Sequence, residues 1–276
     1  MNQKIIPFID FGGKGTDLHF AHANGFPPMV YRQFIQALLG QHSVLAVKHR
    51  PLWPGQHHSQ LRDWSQIADD LIRFLDQQGL KNTIGMGHSL GGTASIIAAI
   101  KRPDLFRQLV LIDPVVFPAP FLLLNKLLPI AWRKKIVPPA KIALRRKDQW
   151  ESKEAVYKSW RKKRVFSRLS DQVLADLVEY AIVPDSTKNG VTLAYTKHWE
   201  AQVYITAPYL FHQIKKLKIP MIVVRGQHTD VIFEKLWANW KVAQAHNHFI
   251  DFQDAGHLVP LEHPKTLAEA LLPLIH

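Results

Sequence analysis

The octapeptide GMGHSLGG at residues 85–92 places Ser89 between Gly87 and Gly91, where an apolar, strand-like run gives way to small apolar residues suited to a helix. A hydroxyl that is to stand clear of a sheet must sit on a sharp strand-to-helix turn in a strained backbone conformation. Side chains two residues to either side would collide there, which is what glycine at 87 and 91 avoids. The pattern predicts a buried strand over 83–86, Ser89 on the turn, and a helix from 91 to 100 packed closely on a sheet. A chain built around such a turn is an α/β protein with a functional serine at a strand end.

The rest of the chain carries the same rhythm. Strand-like runs at 16–21, 43–48, 83–86 and 109–112 alternate with helical patterns at 33–39, 61–80 and 91–100. Alternation of this kind implies a mostly parallel sheet flanked by crossover helices. In the second helix Ile67, Leu71, Phe74 and Leu75 share one face, with Asp69, Asp70, Arg73 and Gln77 elsewhere. The KIIPFIDF run near the start is a further candidate, an antiparallel edge strand.

Between residues 114 and 216 the alternation stops, and the sequence is basic, proline-punctuated and helix-like. A strand (219–225), a helix (234–243), a strand (248–252) and a last helix (264–274) then restore it. The reading is one α/β core, residues 1–113 and 217–276, interrupted by a helical cap insertion, 114–216. The apolar stretch from Val115 to Trp132 is broken by prolines, Asn125 and Lys126, so it reads as a lid or pocket wall rather than a membrane span.

Composition excludes several classes. There is no cysteine, so thiolate catalysis, disulfides and cysteine metal sites are out. The histidine pairs His57/His58 and His246/His248 lack a carboxylate at a recognised metal-site spacing, and no dinucleotide fingerprint or Walker loop is present. No metal and no cofactor is expected. The formal charge of +13 is concentrated: residues 126–168 hold fifteen Lys or Arg against three acids. No nucleic-acid-binding motif accompanies it, so nucleic acid is not an expected partner. The basic insertion reads as a solvated face, with weak contact to an anionic ligand or anionic membrane as its functional alternative. The N-terminus lacks the apolar run of a signal peptide, which predicts a cytoplasmic protein.

A serine at such a turn needs a histidine base and an orienting carboxylate. Of fifteen histidines, His257 in AGHLVPLEHP follows a strand-like run and precedes the last helix, on a loop at the sheet edge. Asp230, in RGQHTD after the 219–225 strand, is the preferred acid, because Ser89, Asp230, His257 is the serine, acid, histidine chain order. Asp113, ending the LVLID run, is the alternative acid, since that strand end points to the same crevice. The oxyanion of a tetrahedral intermediate needs two N–H donors. Leu90, directly after the serine, supplies one; HANGFPP supplies the other, with Phe26 the first choice and Asn24 and Gly25 alternatives. Trp53, His88, Trp160, Trp199 and Tyr204 are substrate-pocket candidates.

HANGFPP, GHSLGG, GQHTD and AGHLVPLEHP, in this order, resemble the α/β-hydrolase superfamily with a helical cap. The resemblance implies the α/β-hydrolase fold and a Ser-His-Asp triad over about two thirds of the chain. One departure stands out: many relatives carry an aspartate-centred, glycine-rich loop where this chain reads KHRPLWPGQHH from Lys48. Relatives that are haloalkane dehalogenases or epoxide hydrolases use aspartate at the elbow, so Ser89 argues against both. The resemblance implies a serine hydrolase of small carboxylic esters working through an acyl-enzyme. Thioesterase, carbon–carbon bond hydrolase and perhydrolase chemistry are alternatives with the same triad, and a non-catalytic binding protein on a hydrolase scaffold is the alternative of another class.

Overall fold

A computed structural model describes residues 5–116 and 128–276. Residues 117–127, most of the apolar stretch read as a lid or pocket wall, and Lys126 with them, lie outside the described residues. Seven strands form the main sheet: β1 (Phe8–Asp10), β2 (Thr16–Ala21), β3 (His42–Val47), β4 (Thr83–His88), β5 (Phe106–Ile112), β9 (Met221–Gly226) and β10 (His248–Phe252). Their order is β1-β3-β2-β4-β5-β9-β10, with β1 antiparallel to β3 and every other pair parallel. The KIIPFIDF run therefore does add an antiparallel edge. Central strands β4, β5 and β9 are buried almost throughout, as their near-continuous apolar sequence requires in a sheet covered on both faces.

Crossover helices supply that cover. Helix α2 (Ser65–Gln77) buries Ile67, Leu71, Phe74 and Leu75 completely, and α3 (Leu90–Lys101) packs on it and on β4. Parallel strands force each connection back to the same edge of the sheet, so the C-terminal ends of the six parallel strands, β1 excepted, and the loops leaving them lie along one rim. That rim carries the candidate site.

The segment between β5 and β9, expected to be helical, is not purely so. Besides its helices it contains a three-stranded antiparallel sheet, β6 (Gln149–Trp150), β8 (Val191–Leu193) and β7 (Ile182–Pro184) in that order. Strands of two and three residues are too short to display a two-residue period, so helical patterns on either side mask them. Several of the segment's cations are paired within it: Lys153 with Glu179, Lys158 with Glu154, Arg161 with Asp171, and Lys197 with Asp148. Among the described residues no helix is long and apolar enough to cross a membrane, and no group of three or more His, Asp or Glu is placed to hold a metal ion.

Candidate active site

Ser89 lies between β4 and α3 with φ 54° and ψ −117°, outside the usual regions for a side-chain-bearing residue. The flanking glycines make this turn buildable. A Cβ on Gly87 would sit 2.4 Å from the Gly91 carbonyl carbon, and one on Gly91 would sit 1.9 Å from the Ala21 carbonyl oxygen. The turn thus pushes the start of α3 against the end of β2. The Ser89 amide donates to the Ile112 carbonyl at 2.9 Å, tying the turn to the neighbouring strand end.

Three distant segments meet at that rim. The Ser89 hydroxyl lies 2.9 Å from His257 Nε2, and His257 Nδ1 lies 2.5 Å from Asp113 Oδ2. Because the carboxylate can only accept, Nδ1 carries the proton in the neutral ring and the Nε2 lone pair faces the hydroxyl. Asp113 is fully buried one residue beyond β5, held by its own amide donating to the Val224 carbonyl at 2.7 Å, with φ 42°.

The preferred acid is therefore corrected. Asp230 is exposed, and Asp113 takes the place expected of it. The GQHTD loop contributes through its threonine instead. Thr229 Oγ1 donates to Asp113 Oδ2 at 2.5 Å while accepting the Val231 amide at 3.2 Å. In the chain leaving β9, residues 227, 228 and 230 are exposed and Thr229 between them is half-buried. Nothing in the sequence marked Thr229 as a participant.

The HANGFPP turn is corrected as well. The Phe26 amide donates to the Ala23 carbonyl at 3.3 Å, closing the turn, so Phe26 is committed within it. Gly25 holds the turn with φ 84°. Leu90 opens α3, where an amide has no acceptor within the helix. The turn is pinned from behind. His22 Nδ1 donates to the Ala23 carbonyl at 2.8 Å, the His49 amide donates to His22 Nε2 at 3.0 Å, and His49 Nε2 donates back to the His22 carbonyl at 3.1 Å. His49 belongs to the loop that departs from the common aspartate-centred pattern, and its role was not legible from that loop's composition.

Residues 20–270 match the model of the alpha/beta hydrolase family. The chain belongs to the alpha/beta hydrolase family. Over 99% of both chains it is 22% identical to an uncharacterised hydrolase, YugF, of Bacillus subtilis. Among solved structures it is similar to E-2-(acetamidomethylene)succinate hydrolase, with a TM-score of 0.79, 18% identity, and coverage of 95% of this chain and 92% of that one. A thermophilic esterase from Thermogutta terrifontis superposes with a TM-score of 0.68 at 18% identity, covering 98% of this chain and 92% of the esterase. At these identities the superpositions establish the fold.

Within this hydrolase fold the aromatic pocket candidates separate. Trp160 is buried against Trp150 and Phe166, in the packing of the segment that follows β5. Trp53 donates its indole N–H to the Lys48 carbonyl at 2.6 Å, and Trp199 packs edge-on to His58. Tyr204 and Glu200 lie beside the HANGFPP turn instead: Asn24 Nδ2 donates to the Glu200 carbonyl at 3.2 Å, and Asn24 is a neighbour of the Tyr204 hydroxyl. Arg146 pairs with Glu200 there. Burial pushes the Glu200 carboxyl up and Arg146 draws it back. His88, buried directly before Ser89, is considered below with its partners.

Proposed function

We propose that this protein is a serine hydrolase of small carboxylic esters, with Ser89 as nucleophile, His257 as general base and then acid, and Asp113 as the orienting carboxylate. The observation that carries the proposal is the unbroken hydrogen-bonded line from the Ser89 hydroxyl through both ring nitrogens of His257 to Asp113. His257 Nε2 takes the hydroxyl proton as Ser89 Oγ attacks the ester carbonyl carbon. The imidazolium that forms is stabilised by buried Asp113. Collapse of the tetrahedral intermediate expels the alcohol, which takes the proton from Nε2. Water, deprotonated by the same nitrogen, then cleaves the acyl-enzyme and restores Ser89.

The Leu90 amide, with Asn24 or Gly25 from the facing turn, supports the developing oxyanion. In support, the start of α3 packs against the Ala21 and His22 carbonyls, on the chain that leads into this turn. The segment from 114 to 216 serves as the cap over this site, and its cations favour approach of anionic ligands.

The test is to incubate the protein and its Ser89→Ala variant with a fluorophosphonate probe and a short-chain nitrophenyl ester. Labelling and turnover are expected in the parent alone. Equal behaviour of the two would remove Ser89 from the chemistry. Similar structures include both an esterase and a thioesterase domain, so thioesters belong in the same substrate panel.

A further inference from the structure

A second hydrogen-bonded line runs behind the first. The Ala23 amide donates to the Tyr31 hydroxyl at 3.2 Å, the Tyr31 hydroxyl lies 2.8 Å from His88 Nδ1, and His88 Nε2 lies 2.8 Å from the His257 carbonyl. Tyr31 and His88 are both wholly buried. The direction of every bond follows from one fact: a carbonyl oxygen can only accept. His88 Nε2 must therefore carry the ring proton, Nδ1 must accept, the Tyr31 hydroxyl must donate to it, and the phenol oxygen is free to accept from Ala23.

We propose that Tyr31 and His88 are positioning residues: a buried relay that fixes the backbone of His257 relative to the HANGFPP turn and holds the base in register with Ser89. The proposal rests on the hydrolase reading above and adds residues to it that touch neither substrate nor reacting atoms. Three features support it.

The relay's two ends are the two segments whose relative placement matters, the loop of the base and the turn facing the elbow. Its middle, His88, immediately precedes Ser89, so one side chain references all three. Burying a phenol and an imidazole is costly compared with apolar filler unless their polar atoms are satisfied, and here each is.

The relay also keeps a charge out of the site. The His88 and His257 rings are 5.0 Å apart, centroid to centroid. During turnover His257 becomes a cation, and a protonated His88 beside it would oppose that step. A second ring proton on Nδ1 would reverse its bond with Tyr31 and leave the buried phenol proton without an acceptor. Burial and the neighbouring His257 both hold the His88 pKa well below its ordinary value. The titratable groups facing His88 are the Tyr31 phenol and the His257 imidazole.

The experiment compares Tyr31→Phe, His88→Asn and His88→Gln with the parent on a short-chain nitrophenyl ester, with Ser89→Ala as control and thermal unfolding measured for each. Glutamine's amide nitrogen can reach the place of Nε2 and donate to the His257 carbonyl, whereas asparagine's cannot. Tyr31→Phe and His88→Asn are expected to lower kcat about 10- to 100-fold, the scale of a misplacement near 1 Å, with KM changed much less. His88→Gln is expected to recover most of the loss. Equal kcat in all three variants and the parent, or losses of similar size in kcat and KM that follow thermal stability alone, would overturn the relay.

A readout independent of turnover uses the parent protein, with His88→Gln assigning the signal. The 15N spectrum of the His88 ring should show Nε2 protonated and Nδ1 bare from about pH 5 to about pH 9, where a free imidazole would titrate. A proton on Nδ1, or a midpoint near 6.5, contradicts the proposal. Turnover in the parent that Ser89→Ala abolishes, with no effect of the relay variants, would leave the hydrolase reading standing and remove only the relay. Parent turnover that Ser89→Ala leaves unchanged would remove the hydrolase reading itself.

Discussion

Two donors reach the same oxygen of a carboxylate that has no exposure: His257 Nδ1–H and the Thr229 hydroxyl both approach Asp113 Oδ2 at 2.5 Å. A buried carboxylate is costly without such donors, and losing one leaves about 1–3 kcal/mol of desolvation uncompensated. Thr229→Val is therefore expected to lower kcat/KM by roughly 5- to 100-fold on a short ester, while Thr229→Ser, which keeps the hydroxyl, stays close to the parent. Equal loss in both variants would make the methyl group, not the hydrogen bond, responsible. At this scale Ser89 and His257 were legible because chemistry restricts their neighbours: glycine must flank the strained serine, and the base must leave a late strand. The choice between the two candidate acids, Asp230 and Asp113, was not legible. Strands β5 and β9 are adjacent, Ile112 pairing with Val224, so their ends offer aspartates to the same crevice with the same chain order. What separates them is that Asp113 is buried against His257 while Asp230 is exposed.

The loop after β3 shows what element-level patterns reveal and what they hide. The apolar stripe of α2 was plain in the sequence, but Asp70, assigned to its polar side, is buried, with Arg50 Nε 2.7 Å and Arg73 2.5 Å from its oxygens. Arg50 comes from the KHRPLWPGQHH loop and also donates to the Gln66 carbonyl at 3.1 Å, so the loop covers the helix face that periodicity would leave in water. Periodicity reports which face is apolar; it carries no information on which charged residue a long side chain from another element will reach. Arg50→Ala is expected to destabilise the fold by about 1–3 kcal/mol, the scale of removing one charged donor from buried Asp70, which keeps its contact with Arg73. Replacing Arg50 and Asp70 together with apolar residues of similar size is expected to cost much less, as read by urea unfolding midpoints. If the single and double variants lose the same stability, the charge pair is not what holds the loop. The small β6-β8-β7 sheet is the complementary case, invisible because its strands are shorter than the period that would announce them.

Over the whole molecule, several histidines are enclosed without charge. Burial lowers the pKa of His19 to about 3 and that of His49 to about 4, and it holds His22 and His88 well below the usual value. Each is neutral when folded and takes up a proton on unfolding once the pH is below about 6.5, so the unfolded chain binds more protons and stability falls as pH falls through that value. Each such group contributes a slope of up to ~1.4 kcal/mol per pH unit until its folded pKa is reached. The urea midpoint is expected to be clearly lower at about pH 5.5 than at about pH 7.5, and an unchanged or higher midpoint at the acid end would show that these histidines are not held neutral. The parallel arrangement of the core was readable from the alternation of runs, because each βα unit carries its own periods. Which loops converge at the rim was readable only in part, because convergence depends on the order of strands across the sheet.

The proposed catalytic line joins the ends of β4 and β5 to the loop after β10, with the acid supplied at the end of β5. Comparing kcat/KM for Asp113→Asn and Asp230→Asn on the same short-chain ester tests it most directly. Asp113→Asn is expected to lose about 10⁴-fold, as when an orienting carboxylate is neutralised in a serine protease, and Asp230→Asn is expected to stay within a few-fold of the parent. A large loss in Asp230→Asn beside a nearly intact Asp113→Asn would contradict the account.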